Sequence, residues 1–316
     1  MIEASDRRIT NRRLAMHAET LEAIRRSAAI PSMPVVATRC FEITQDPHCD
    51  YDVLVGLLST DAGIAAEILR LSNSPLFGVA RKVTSLKQAV GLLGLRRLRD
   101  LVLTRYLVQR LDDSKDDALD PGYFWRRSLT TGVIAGRLSD VIAPTERDQA
   151  FMAGLLADVG VVVLLRALPS RYRQIAEQYR PLGGDGWIAD EQRLLGVGHA
   201  EVSAVVLEEW HLPESLVNAV RLHHAPTPGD GLASIIGAAS TVARVLCEAQ
   251  DAAIAADECA AACECVGLGP EALARCLPEI EGDVKSLAEL LRIEIVANRI
   301  FHSIAEQIAN RVTVGT

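Results

Sequence analysis

Apolar residues along this chain recur at three- and four-residue spacing, and nowhere do they alternate with polar ones over the length of a strand. The pattern predicts helices nearly throughout. Residues 12–28 give a first amphipathic candidate, stopped by Pro31 and Pro34 in IPSMP. A second runs from Val35 to about Gln45, where Asp46-Pro47 breaks it. A third, Tyr51 to Leu58, leads into Asp61, which is placed to cap a helix reaching Leu71. SNSPLFG, Ser72 to Gly78, reads as a turn-rich connection. Ser85 and Gln88 have capping-box spacing, and after Gly94 the run LRRLRDLVLTRYLVQR predicts a long helix with one leucine face.

The acidic stretch DDSKDDALDPG, Asp112 to Gly122, is poor in apolar residues and closes with Pro-Gly, so it marks a solvated linker and a domain boundary. Beyond it, Tyr123–Val141 and Glu146–Leu165 predict two long helices separated by Pro144. Shorter segments follow near Arg171–Tyr179 and Asp190–Leu195, split by the turn LGGDG. His199–Trp210 is helical, Pro213 suits the first turn of the next helix, and the last third is Ala- and Leu-rich with breaks near Gly267–Pro270 and at Pro278.

Within this pattern the stretch Ala150–Leu165, AFMAGLLADVGVVVLL, carries a single charge, Asp158. Its β-branched second half would also suit a buried strand. Helix is the reading here, because the run has no internal turn signal and no segment offers a partner strand. A carboxylate in such a run is costly unless it is paired, hydrogen-bonded or bound to a metal.

Composition narrows the class without naming a function. Apolar residues are 49% and charged residues 23%, an ordinary globular balance over 316 residues. The expectation is a cytoplasmic protein: no apolar run is seen to reach a membrane span, the N-terminus lacks a signal-peptide core, and seven scattered cysteines suit reduced thiols. A net charge of −8 weighs against broad nucleic-acid binding.

Asp158 is followed by His199 and then by His223-His224, the materials of a divalent-metal hydrolase site. AFMAGLLADVG resembles the HD motif of the HD phosphohydrolase superfamily, and GHAEVSAVVLEEWHLPESLVNAVRLHH resembles its later histidine segments. SNSPLFG with VTSLKQAVGLLGLRRLRDLVL resembles the N-terminal half of the HD-related output domain, HDOD. The resemblance spans roughly residues 20–225. It implies an all-α fold: an N-terminal helical subdomain, 1–112, packed on a degenerate HD-like bundle, 120–230, with a C-terminal helical extension, 231–316.

The departures from the superfamily pattern bear on activity. Arg127 stands where active members begin a helix with histidine, Ala157 replaces the motif histidine, Val161 the lysine that often follows, and Ser240 a later aspartate. Asp158, His199, His223 and His224 are then vestigial metal positions, with no catalytic residue, resident metal or cofactor expected. Asp158 would be satisfied by Arg127 or by helix-end amides, with residual metal ligation or ligand binding as alternatives.

The resemblance implies a non-enzymatic regulatory output or scaffold protein with signalling proteins as partners. The alternatives are a sensor holding a nucleotide or small anion near Arg127, Asp158 and His199, and a degenerate phosphohydrolase. Leu76, Phe77, Arg96, Arg97 and Arg99 form the candidate partner surface; the alternatives are that Leu76 and Phe77 plug the gap between the two subdomains and that the arginines make a solvated face, the simpler account of that helix. Cys259, Cys263 and Cys265 read as small buried thiols in a helix, and LGGDG as a turn that lacks the residues of a phosphate loop.

Overall fold

The computed structural model of the chain describes residues 16–33, 35–46, 48–73, 82–111, 117–226, 230–248, 251–291 and 300–314, except the side chains of 96, 97, 100, 107–111, 145, 148, 286, 289–291, 300, 301 and 311–314. Every regular element among the described residues is helical. In chain order these are α1 (16–26), α2 (Val35–Gln45), α3 (Tyr51–Ser59), α4 (Ala62–Ser72), α5 (Leu86–Leu111), α6 (Pro121–Ile142), α7 (Arg147–Leu156) and α8 (Val159–Ala167). There follow α9 (Pro169–Ala176), α10 (Gly186–Leu195), α11 (His199–Glu209), α12 (Glu214–Leu222), α13 (Gly231–Glu248), α14 (Ala252–Glu264), α15 (Pro270–Leu291) and α16 (Ile300–Val314).

The helices group by contact into two compact units. One comprises Met1–Pro31, Ser114–Glu281 and Ala297–Thr316, the other Ser32–Asp113 and Gly282–Val296. The described part of the first 31 residues therefore groups with the HD-like part rather than with the N-terminal subdomain. The cause is local: Thr20 donates to the Leu195 carbonyl at 2.9 Å, His17 meets Glu201 at 2.8 Å, and the Trp210 indole donates to the Pro31 carbonyl at 2.7 Å.

In the smaller unit, α2, α3 and α4 pack against α5. Asp61 caps α4 by accepting from the Ile64 amide at 3.0 Å, and its other oxygen receives the Tyr106 hydroxyl at 2.6 Å. Helix α5 bends at Gly94 (φ 76°, ψ 160°), a backbone position that favours glycine. Arg99 lies over the Phe41 ring at 5.8 Å, so it belongs in part to this packing. Leu76 and Phe77, and the side chains of Arg96 and Arg97, lie outside what is described.

In the larger unit, α6 packs along α7 and α13, and α8 along α11. Glycine permits the closest approaches. A Cβ on Gly154 would lie 2.9 Å from the Thr131 carbonyl of α6, and one on Gly160 only 2.1 Å from the His199 carbonyl of α11. The Ser203 hydroxyl joins the same two helices, donating to the Ala157 carbonyl at 2.7 Å and accepting from the Gly160 amide at 2.8 Å.

Several boundaries differ from the sequence reading. The single helix expected over Glu146–Leu165 is two, because Asp158 (φ −102°, ψ 7°) leaves helical geometry between α7 and α8. Pro278 does not break α15, where Leu273, Leu277, Ile280, Val284 and Ala288 keep one stripe buried on both sides of it. Pro213 caps α12 instead of entering its first turn. By length and composition Gln149–Ala167 and Gly231–Glu248 could cross a membrane, contrary to the sequence expectation. The first is 83% buried inside the protein and is the pair α7–α8 interrupted at Asp158.

Candidate functional site: a buried carboxylate–histidine cluster beneath a cleft

Leaving helical geometry at Asp158 aims its carboxylate inward, where it is 5% exposed. Its Oδ2 accepts from the Tyr179 hydroxyl at 2.7 Å and lies 3.7 Å from Arg127 Nε, a side chain 3% exposed. Its Oδ1 faces His199 Nε2 at 3.5 Å and His223 Nε2 at 3.7 Å, and has no hydrogen-bond partner among the described residues. Helix-end amides play no part: Asp158 makes no side-chain cap to α8. Of the partners foreseen from sequence Arg127 is present, whereas Tyr179 was not foreseen.

Each histidine has its own support. His199 opens α11, and Glu191 of α10 receives both its backbone amide (2.8 Å) and its Nδ1 (2.7 Å). Glu191 is itself fully buried and takes the Tyr172 hydroxyl on its other oxygen at 2.5 Å. His223 donates Nδ1–H to the Val220 carbonyl at 2.7 Å, which leaves Nε2 as a lone pair turned toward Asp158 Oδ1. His224 Nε2 lies 2.8 Å from His199 Nε2, so one proton is shared between them. The Trp187 ring lies tilted against His199 at 4.6 Å and meets Tyr179 edge-to-face at 5.2 Å, closing one wall with aromatic surface.

The charges follow from these distances. Burial alone would raise the Asp158 carboxyl, but the contact with His199 and the Arg127 guanidinium hold it well below the usual carboxylate range. Burial would lower His199, yet Glu191 and Asp158 carry it up to about 9, so it is an imidazolium at neutral pH. His223 has no such anion in hydrogen-bond reach. Burial takes it down to about 4 and it is neutral.

The four positions read from sequence as vestigial are gathered in space: one donor atom each from Asp158, His199, His223 and His224 lies within 4.8 Å of the others. Two of those atoms, Asp158 Oδ1 and His223 Nε2, are buried without a hydrogen bond. A carboxylate and three imidazoles are a donor set that fits one divalent ion. Among the described residues no second such donor group is gathered, since Ala157 and Ser240 offer no carboxylate or imidazole and Arg127 brings a fixed positive charge.

The outer face of this cluster opens into a cleft of about 850 Å³, lined by Arg127, His223, His224, Ser240, Thr241 and Arg244 among others. Asp185, in the turn before α10, faces two of these, with Oδ1 4.0 Å from Arg127 Nη2 and Oδ2 3.2 Å from Arg244 Nε. Sequence reasoning missed Tyr172, Tyr179, Asp185, Glu191 and Arg244. None sits at a recognisable motif spacing, and only folding brings them to the cluster.

The profile of the HDOD domain family matches residues 30–226 of this sequence. The chain belongs to the HDOD family. A Treponema pallidum (strain Nichols) protein named "Uncharacterized protein" is 28% identical over 226 residues, 69% of this chain but 42% of that protein. The chain therefore spans less than half the length of this curated relative. Among solved structures, an HDOD domain protein of unknown function from Geobacter sulfurreducens has a TM-score of 0.70 at 23% identity, covering 89% of this chain and 99% of the other. A protein from Shewanella amazonensis SB2B named "Putative phosphohydrolase" has a TM-score of 0.61 at 21% identity, covering 93% and 99%. At these identities the solved structures establish a shared HDOD-type helical fold.

Proposed function

We propose that this chain is a non-hydrolytic regulatory output module that acts through contacts with signalling proteins. The observation that carries the reading is Arg127. Its guanidinium lies 3.7 Å from Asp158, the carboxylate of the four-residue donor set, where active relatives of the superfamily carry a ligand histidine. A permanent cation there pairs with the carboxylate and repels a dication. Asp158, His199, His223 and His224 are the residues that would hold a single ion, which would supply Lewis-acid polarisation when bound. The chain's own residues provide no complete shell for the paired-ion hydrolysis of phosphoesters, and a partial shell loses activity steeply. The partner surface is proposed on the helix after Gly94 and the SNSPLFG segment, at Leu76, Phe77, Arg96, Arg97 and Arg99, with no nucleic acid expected at a net charge of −8.

The test is turnover of bis(p-nitrophenyl) phosphate in Mn²⁺ by protein purified without chelator, with elemental analysis alongside. The expected outcome is no metal-dependent hydrolysis. Hydrolysis that disappears in Asp158→Ala protein would overturn the reading.

A further inference from the structure

The geometry points to an oxyanion site in the cleft, held closed by the protein's own Asp185. We infer that a small organic anion, bearing a carboxylate or phosphate group on a largely apolar body, binds between Arg127 and Arg244 by displacing the Asp185 carboxylate.

The cradle is built but loosely filled. Arg127 is 3% exposed, lines the cleft, and its nearest carboxylates stand at 3.7 Å (Asp158) and 4.0 Å (Asp185), outside hydrogen-bond range. Its Nε has no hydrogen-bond acceptor among the described residues. The guanidinium also meets the Tyr123 hydroxyl and lies over the Tyr179 ring at 4.9 Å, so Nε is the donor left over; a buried donor without an acceptor is costly, and a closer anion would satisfy it. Arg244, one-fifth exposed across the cleft, is shared between Asp185 at 3.2 Å and Glu258 at 3.2 Å. The Ser240 and Thr241 side chains add hydroxyls beside the two arginines, while Pro226, Ala238, Ala262 and Val266 supply apolar wall.

Asp185 is the movable member. Its carboxylate is 48% exposed, it makes no side-chain cap to α10, and it ends a turn with two left-handed residues, Leu182 (φ 63°) and Gly184 (φ 69°). The negative charges already facing the arginines, from Asp158, Asp185 and Glu258, argue for exchange of one anion for another and against simple addition. The ligand replaces Asp185. Displacement would also loosen the start of α10, two residues before Trp187, which lies tilted against His199.

The experiment is equilibrium dialysis of the full chain with inorganic phosphate, phenyl phosphate and benzoate, comparing the parent protein with Asp185→Asn and Arg244→Gln variants whose melting curves match it. Removing the internal competitor should tighten binding of at least one organic probe by roughly tenfold, and Arg244→Gln should abolish it. Phenyl phosphate above benzoate would assign the phosphate class, the reverse the carboxylate class. Inorganic phosphate binding as well as phenyl phosphate would overturn the apolar body. Absence of any probe binding to Asp185→Asn protein, or equal binding by Arg244→Gln protein, overturns the site. If Asp185→Asn protein does not fold, the parent protein at millimolar phenyl phosphate and benzoate decides instead, with quenching or shift of tryptophan fluorescence expected on binding and an unchanged spectrum overturning it.

Discussion

Arg127 and Asp158 form an ion pair, 3.7 Å from Nε to Oδ2, that is almost entirely withdrawn from solvent. Such a pair adds little stability over a well-packed apolar one, but breaking it from one side leaves an uncompensated buried charge. Asp158→Ala removes the acceptor of the Tyr179 hydroxyl, the nearest counter-charge of Arg127, and one of the two carboxylates that face His199, Glu191 being the other. The expected loss is about 3–5 kcal/mol in denaturant unfolding. The double variant Asp158→Ala, Arg127→Met should recover part of it. A single-variant loss below about 1 kcal/mol would mean that Arg127 is served by other groups.

Stability should pass through a maximum near neutral pH. His199 is raised from 6.5 to about 9, so its contribution is whole below the unfolded value and is lost as pH rises through about 9. His223 is lowered from 6.5 to about 4. The folded state must keep it neutral, and stability falls as pH drops from 6.5 through about 4. The depressed Asp158 carboxyl adds a further loss below its ordinary value of 3.8. Melting temperature against pH is the measurement. A His223→Gln variant should flatten the limb between pH 6.5 and 4 while leaving the alkaline limb in place.

Gly160→Ala should be among the most disruptive single-methyl changes in the chain. The added Cβ would stand 2.1 Å from the His199 carbonyl and 2.8 Å from the Ser203 amide, both backbone atoms of α11 that cannot turn aside. Pushing α8 from α11 also breaks the Ser203 bridge to Ala157 and Gly160. A loss of about 1–3 kcal/mol or more is expected. NMR of the imidazoles should show His199 displaced, and an unchanged His199 environment would contradict the packing described.

What sequence could and could not announce follows from the range of the signals. Helix caps are local, and Asp61 was legible because it caps α4 within three residues. Asp158 was legible as an anomaly, a lone charge in an apolar run. Its departure from helical geometry was not, because Ala157-Asp158 contains no proline or glycine and tertiary partners draw the carboxylate inward. Tyr179 and Glu191 show the remaining gap: each has an ordinary helical-surface context in sequence and becomes part of the cluster only through the folding of α9 and α10 beside α11. The family resemblance supplied the histidines but not the residues that orient them.

The partner surface proposed around α5 gives a last expectation, and Arg99 divides it. Because Arg99 lies over the Phe41 ring, Arg99→Glu removes a cation–π contact worth about 0.5–1 kcal/mol and would confound a binding assay with a stability change. The cleaner test is the pair Arg96→Glu, Arg97→Glu in the full chain, with Phe77→Ala as a separate variant. If these residues form an interface, the double charge reversal should keep the unfolding free energy within about 0.5 kcal/mol of the parent, as surface changes do, while capture of signalling proteins from a lysate is lost. If Phe77 instead fills a core, Phe77→Ala should lower stability by about 3–5 kcal/mol and the arginine changes should leave capture intact. That second result would move the search for the interface to the C-terminal helices beyond Leu232, where Ile254 is 61% exposed.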